Sequence, residues 1–331
     1  MRRIIIWLVG LACGAATGAA ADWVRAGLNT NQPAWGLRGG LRFAIPPAGF
    51  RPPEPRGLIR LGYPILPGDG YDLVNFIAIE PVVNGRKGFS ELESSRLDGA
   101  PGKRLWAGDG EAMRALDPGT LSLLAPGIEQ LEVVLRVEEF DHGAHVRLLA
   151  SQRSDAPDEL RLTVHSEPDS APLDYCILTA TMGNLARARQ LWLKDEVVSS
   201  LKLYPDYKDL QFAPATAYPL SRLMRMANGD VMVAVTTDED APASVHPFPD
   251  SRLWYYAGVS VTQYWKKPAG AFRDDLHAVV NARHTYWQSR QPIPGGIAFE
   301  NFELREKFYD GQQFIFGITR RTPAQLGFTS R

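Results

Sequence analysis

Strand-like segments separated by turn residues run through most of the chain, and they constrain its fold more than any other feature. The 331 residues include 30 glycines and 25 prolines, spread as expected where many turns join strands. No strand-helix alternation suggests a parallel sheet, and no repeat of fixed period occurs. We therefore predict an all-β protein, a large antiparallel β-sandwich or supersandwich with one or two short helices. The predicted strands cover 57–63, 71–83, 131–140, 144–151, 159–165, 173–182, 230–237, 254–264, 276–287, 297–308 and 313–319.

Local signals specify some of the connections. Asn84-Gly85 follows a long strand and predicts a hairpin. Short polar loops join the strands at 131–140, 144–151 and 159–165, which predicts an antiparallel meander. The apolar spacing over 184–197 predicts an amphipathic helix, and a second helical turn is predicted over 219–226.

The N-terminus has the pattern of an export signal. Met1-Arg2-Arg3 is basic, 4–16 is apolar, and Ala19-Ala20-Ala21 suits signal peptidase. We predict a cleavable signal peptide over 1–21, a single β-sandwich domain over 22–331, and a periplasmic or secreted location. One alternative is an uncleaved anchor. Another is lipidation at Cys13, although Gly10 stands where a lipobox usually has an aliphatic residue.

Charge and cysteine content narrow the function classes. The chain has 36 basic and 37 acidic residues, so nothing favours binding to nucleic acid or to an anionic membrane. No second apolar stretch is long enough to span a membrane. After cleavage only Cys176 remains, which excludes an internal disulfide, and its apolar surroundings favour a buried, inert thiol.

The sequence lacks the common cofactor motifs. It has no glycine-rich dinucleotide loop, no Walker loop, no Gly-x-Ser-x-Gly and no His-Glu-x-x-His, so we predict no cofactor. His142 and His145 lie at one turn and could begin a metal site, but no third ligand can be identified, and we predict no metal.

Strand alternation supplies the candidate binding surface, because successive side chains of a strand point to opposite faces. Each of three consecutive predicted strands has one apolar face and one polar or aromatic face. If these strands are neighbours, their polar faces form a single patch suited to sugar rings. The polar faces carry Trp254, Tyr256, Ser260, Thr262 and Tyr264 on the first, His277, Asn281, Arg283 and Trp287 on the second, and Asn301, Glu303, Arg305 and Lys307 on the third.

Other readings of these residues stay open. Antiparallel sheets commonly have one solvated face, so the same residues also fit an ordinary wet surface. The aromatic loop at 204–209 is a second candidate binding segment. Glu91 and Glu93 are closely spaced carboxylates that could support glycoside hydrolysis, or could mark a solvated strand.

The segments Gly57-Leu58-Ile59-Arg60-Leu61-Gly62-Tyr63, 73–83 and 297–308 resemble those of the β-supersandwich group that includes galactose mutarotase and several polysaccharide lyases. The resemblance implies an enzyme that cleaves an acidic polysaccharide by β-elimination. Arg283 or Asn281 would then neutralise the substrate carboxylate, and Tyr256, Tyr264 or His246 would serve as base and acid. A mutarotase-like reaction would instead pair His277 with Glu303.

The lyase is the leading functional hypothesis, and it makes an oligosaccharide or polysaccharide the expected partner. Its substrate-binding residues would be Trp254, Asn281, Trp287, Asn301, Glu303 and Arg305. The alternatives are a glycoside hydrolase or sugar epimerase, a non-catalytic carbohydrate-binding module, and a structural or assembly protein of the cell envelope.

Overall fold

A computed structural model describes residues 21–46, 56–64, 72–108, 116–182, 187–238, 260–286 and 289–329. Two large antiparallel sheets pack against each other, as in a β-sandwich, which confirms the all-β prediction. No helix in these ranges is long and apolar enough to cross a membrane.

The first sheet has ten strands and the order β1-β2-β3-β4-β5-β12-β20-β19-β15, with β6 paired to β5. Their bounds are β1 Trp23–Val24, β2 Ala34–Leu37, β3 Arg42–Ala44, β4 Leu58–Tyr63, β5 Asp72–Val83, β6 Arg86–Lys87, β12 Tyr175–Met182, β15 Thr216–Pro219, β19 His277–Arg283 and β20 Ala298–Arg305.

The second sheet has eleven strands and the order β14-β13-β17-β18-β21-β11-β10-β9-β7, with β16 paired to β17 and β8 to β9. Their bounds are β7 Leu105–Ala107, β8 Thr120–Ala125, β9 Ile128–Val137, β10 Val146–Arg153, β11 Glu159–Ser166, β13 Gln190–Trp192, β14 Val197–Ser199, β16 Met224–Arg225, β17 Val231–Thr236, β18 Thr262–Lys267 and β21 Gln312–Thr319. The helices are α1 Ser200–Leu203 and α2 Pro323–Leu326, and a 3₁₀ turn covers Leu220–Arg222.

The turn signals are confirmed. Asn84 and Gly85 both have positive φ, 50° and 72°, and they join β5 to β6 as the hairpin requires. Strands β9, β10 and β11 form the predicted antiparallel meander. The 3₁₀ turn lies inside the segment predicted to be helical over 219–226.

The helix predicted over 184–197 is wrong in its described part, which contains β13 and the first residue of β14. Ala188, Leu191 and Leu193 are fully buried in the core. The last two alternate with the partly exposed Gln190 and Trp192, which is the pattern of a half-buried strand. In a segment this short, helical and strand spacing share several positions, and pairing with β17 decides between them.

Aromatic side chains fill the space between the sheets. Trp35, Phe43, Trp265, Phe302 and Phe314 are each at most 1% exposed. Trp265 of the second sheet donates its indole Nε1–H to the carbonyl oxygen of Phe302 in the first sheet at 2.8 Å. This bond satisfies a buried donor and fixes the two layers relative to each other.

The expectation that the three polar strands are neighbours is wrong. Strand β18 lies in the second sheet between β17 and β21, whereas β19 and β20 pair in the first sheet. Val261 and Trp265 face the core between the layers. The chain therefore crosses from one sheet to the other between β18 and β19, which side-chain alternation alone does not reveal.

Candidate functional site

The outer side of the first sheet carries the predicted polar residues of β19 and β20. Ala278, Val280, Ala282, Phe302 and Leu304 belong to the core, in agreement with the predicted alternation. The alternate positions form what we call the outer polar face, made of His277, Asn281, Arg283, Asn301, Glu303 and Arg305.

A second glutamate joins this face from β5. Glu80 and Glu303 are only 3% and 2% exposed. Strand β12 lies between their strands, with Ile177 opposite Glu80 and Thr181 opposite Asn301. The charge of Glu303 acts directly on Glu80. The two glutamates are therefore a carboxyl pair that flanks one strand.

Burial is the largest cause that raises the pKa of Glu80 from 4.5 to about 8, and the negative charge of Glu303 adds to it. The Lys87 ammonium, 2.6 Å from Glu80 Oε2, opposes this rise. Glu303 Oε1 accepts a hydrogen bond from Arg305 Nε at 2.5 Å. The raised pKa favours the protonated form of Glu80, which shares the face with Glu303 and its guanidinium partner Arg305.

The pair lies just below the protein surface. The side chains of Lys87 and Arg305 remain 29% and 26% exposed, while the carboxyl groups that they contact are almost fully covered. On an ordinary solvated face the carboxyl groups would be exposed as well.

A third carboxyl group, Glu91, extends the cluster. Burial raises the pKa of Glu91, and its charge also acts on Glu80. The neighbouring Ser90 positions this turn, because its hydroxyl accepts from the backbone N–H of Ile79 at 2.9 Å and donates to the carbonyl of Gly57 at 2.6 Å. A Cβ at Gly57 would come within 1.8 Å of the Ser90 carbonyl oxygen, so this contact requires glycine.

Two buried polar atoms in the described part of this region have no hydrogen-bond partner, Glu91 Oε2 and the hydroxyl of Thr179. Thr179 lies on β12, the strand that separates Glu80 from Glu303, and is 1% exposed. Buried polar groups are almost always satisfied, so two unpartnered atoms beside a carboxyl pair are unusual.

Glu93, the other carboxylate singled out from the sequence, stabilises loops by accepting hydrogen bonds from backbone amides. Its Oε1 accepts from the Phe89 amide at 3.1 Å and its Oε2 from the Asp141 amide at 2.9 Å. Lys103, fully buried, lies 3.3 Å from it.

At the far end of the outer polar face, Asn281 has a structural contact. Its Oδ1 accepts the backbone N–H of Asn301 at 3.0 Å, beside an irregularity in the pairing of β19 with β20. Glu300 lies at this irregularity, and burial raises its pKa to about 7 despite the nearby charge of Arg283.

Tyr264 does not share this face. It belongs to the second sheet and is 3% exposed, packed with Met224, Leu326 and Phe328. Its hydroxyl donates to Glu159 Oε1 at 2.9 Å, and burial raises its pKa. Tyr264 and Arg283, which the lyase hypothesis brings together, therefore lie in different sheets.

The remaining predicted residues are His277, which the structure describes, and four residues that lie outside the described ranges. His277 lies on the same face as Glu303, diagonally across the β19–β20 pair, with Nδ1 2.8 Å from the carbonyl of Asp275. Four residues lie outside the described residues, namely Trp254, Tyr256, His246 and Trp287.

No group of three or more potential metal ligands occurs in the described ranges. His142 Nε2 lies 3.0 Å from the Pro81 carbonyl, and His145 Nδ1 lies 2.7 Å from Asp169. Cys176 is buried, and its pKa is raised to about 12, as the prediction of an inert thiol requires.

Sequence reasoning missed Glu80, the most perturbed carboxyl group of the site. A signal was present, because Glu80 interrupts the otherwise apolar end of the 71–83 strand and an ionisable residue in such a run needs a partner or a purpose. The partner, Lys87, comes seven residues later across the predicted hairpin.

No protein-family model and no curated protein matches the chain.

Proposed function

We propose that this protein is an extracytoplasmic carbohydrate-active enzyme in which Glu80 and Glu303 transfer protons to and from a sugar. The observation that carries the proposal is the buried carboxyl pair, in which one member has its pKa raised to about 8 and the other accepts from Arg305. A carboxyl pair whose acid member has a raised pKa is the usual means of acid-base catalysis on glycosides.

The strand spacing supports hydrolysis as the reaction. Neighbouring strands lie about 4.8 Å apart, so β5 and β20, with β12 between them, are separated by about 10 Å. Carboxyl groups of glycosidases are roughly 5 to 9.5 Å apart, a range that two long side chains on these strands can reach. Glu80 would protonate the leaving oxygen, and Glu303 would act as base or nucleophile.

The resemblance to lyases suggested β-elimination instead, which needs a base and a carboxylate-neutralising cation at the same sugar. The described base candidate, Tyr264, lies in the second sheet, whereas both candidates for the neutralising role, Arg283 and Asn281, lie in the first. The carboxyl pair therefore supports hydrolysis better than elimination.

The test is a panel of neutral and acidic polysaccharides incubated with the purified protein. Release of reducing ends reports hydrolysis, and a rise in ultraviolet absorbance reports elimination. We expect Glu303→Gln and Glu80→Gln each to lower kcat by about 10²-fold or more. Glu159→Gln is the matched control, because Glu159 also pairs with a lysine, Lys266, but in the other sheet.

Hydrolysis that survives both site substitutions would overturn the proposal, as would the absence of products from every glycan. Binding of a glycan without any turnover would identify a non-catalytic binding module. Absorbance that rises with the cleavage would restore the lyase.

A further inference from the structure

Arg283 is a buried cation whose contacts within the described residues satisfy it only partly. It lies on the outer polar face and is 8% exposed. Its Nη2 donates to the Leu210 carbonyl at 3.3 Å, while its Nε is buried and has no hydrogen-bond partner among the described residues. Burying a guanidinium without an anion is costly, so this arrangement favours a bound negative group.

An exposed aromatic ring stands beside this guanidinium. The centroid of Phe212 is 4.9 Å from Arg283 Cζ, and Phe212 is 41% exposed. Two hydrogen bonds hold its loop, one from the Tyr207 hydroxyl to the Phe212 carbonyl at 2.7 Å and one from the Ala213 amide to the Ala282 carbonyl at 2.8 Å. The loop is thus fixed to the edge of β19, and it places an apolar surface next to a cation.

Glu300 is the carboxyl group whose charge acts on Arg283, but the two form no ion pair. Burial favours its neutral form. It therefore does not hold the guanidinium through a direct ion pair.

The position of Arg283 along the strand separates it from the carboxyl pair. Val279 is opposite Glu303, and Arg283 follows four residues later on the same face of β19. At about 3.4 Å per residue, Arg283 lies about 14 Å along the strand from Glu303. This backbone spacing exceeds the length of one sugar ring, so we assign the ligand of Arg283 to a different sugar unit from the one that reacts at Glu303.

We propose that Arg283 and Phe212 form a remote subsite for an anionic sugar unit, so that the preferred substrate is an acidic oligosaccharide spanning several rings. The inference rests on the proposed function for the position of the reacting ring. The guanidinium binds the carboxylate of the remote unit, and the Phe212 ring contacts the C–H face of the same unit.

The test compares oligogalacturonate dimer, tetramer and hexamer with their carboxyl-reduced counterparts, with binding measured by calorimetry. We expect the native protein to prefer the charged tetramer and hexamer, but not the dimer. Arg283→Gln should weaken their binding by about 10- to 100-fold and leave the reduced ligands unaffected. Arg283→Lys should recover part of the preference, and Phe212→Ala should weaken both ligand series.

Arg225→Gln is the matched control, because Arg225 also lies over an aromatic ring, Phe272 at 5.5 Å, but at β16 in the other sheet. A charge preference that is absent, independent of length or unchanged in Arg283→Gln would overturn the inference. Two outcomes separate the proposals. Hydrolysis that needs Glu303 without a charge preference refutes only the subsite, whereas length-dependent binding through Arg283 without turnover refutes only the enzyme.

Discussion

Replacement of Glu80 by glutamine gives the sharpest test of the proton-donor role, because it removes the titration and keeps the shape. In the folded protein the pKa of Glu80 is raised from 4.5 to about 8, so between these values the native state holds a proton that the unfolded state releases. Stability must therefore fall as pH rises through this window.

The size of the effect follows from the shift. Each pKa unit corresponds to about 1.36 kcal/mol. With the unfolded value at 4.5 and the folded value at about 8, Glu80 accounts for a loss of about 3 to 4 kcal/mol between roughly pH 5 and pH 8. Glu80→Gln has no such titration. Over the same pH range its free energy of unfolding should therefore decrease by about 3 to 4 kcal/mol less than that of the native protein.

Urea unfolding at several pH values, followed by tryptophan fluorescence, measures the difference directly. Glu303→Gln serves as an internal comparison. It removes the second cause of the shift, so the pH-dependent loss should shrink but persist, because burial is the larger cause. Parallel pH profiles for native protein and Glu80→Gln would refute the reasoning, since Glu80 would then ionise normally and could not act as an acid at neutral pH.

Two further predictions concern buried residues outside the site. Gly317→Ala should destabilise the protein by several kcal/mol, because its Cβ would lie 2.0 Å from the Tyr264 ring; Gly317→Ala combined with Tyr264→Ala should recover part of the loss in urea unfolding. Cys176 should resist iodoacetamide in the native state and react only after denaturation, as peptide mapping by mass spectrometry can show, because the buried thiol has its pKa raised to about 12.

Local chemistry could be predicted from the sequence where neighbours along the chain decide it. The alternation of β19 and β20 placed Asn301, Glu303 and Arg283 on one face, and Asn84-Gly85 located its hairpin. Both signals act within a few residues, where backbone geometry leaves little choice.

Long-range pairing could not be predicted in this way. Side-chain alternation along β18 would be the same in either sheet. It therefore cannot predict whether β18 pairs with β19 or, as observed, with β17 and β21. The candidate site changed accordingly, because Tyr264 left it and Glu80, 223 residues before Glu303 in the sequence, entered it. Only the position of β12 between β5 and β20 brings these two carboxyl groups to one face.

The composition of the outer polar face argues against an ordinary solvated surface. A wet face gains nothing by covering glutamates, and covering them costs free energy unless each gains a partner. Here Glu80 and Glu303 are 3% and 2% exposed, and each has a single basic partner, Lys87 or Arg305, whereas Glu91 Oε2 and the Thr179 hydroxyl lack partners within the described residues. The aromatic core between the two sheets stabilises the fold and offsets the free-energy cost of burying such a cluster. Natural proteins tolerate this local cost where a group must keep a shifted pKa for chemistry, which is the role that we propose for Glu80.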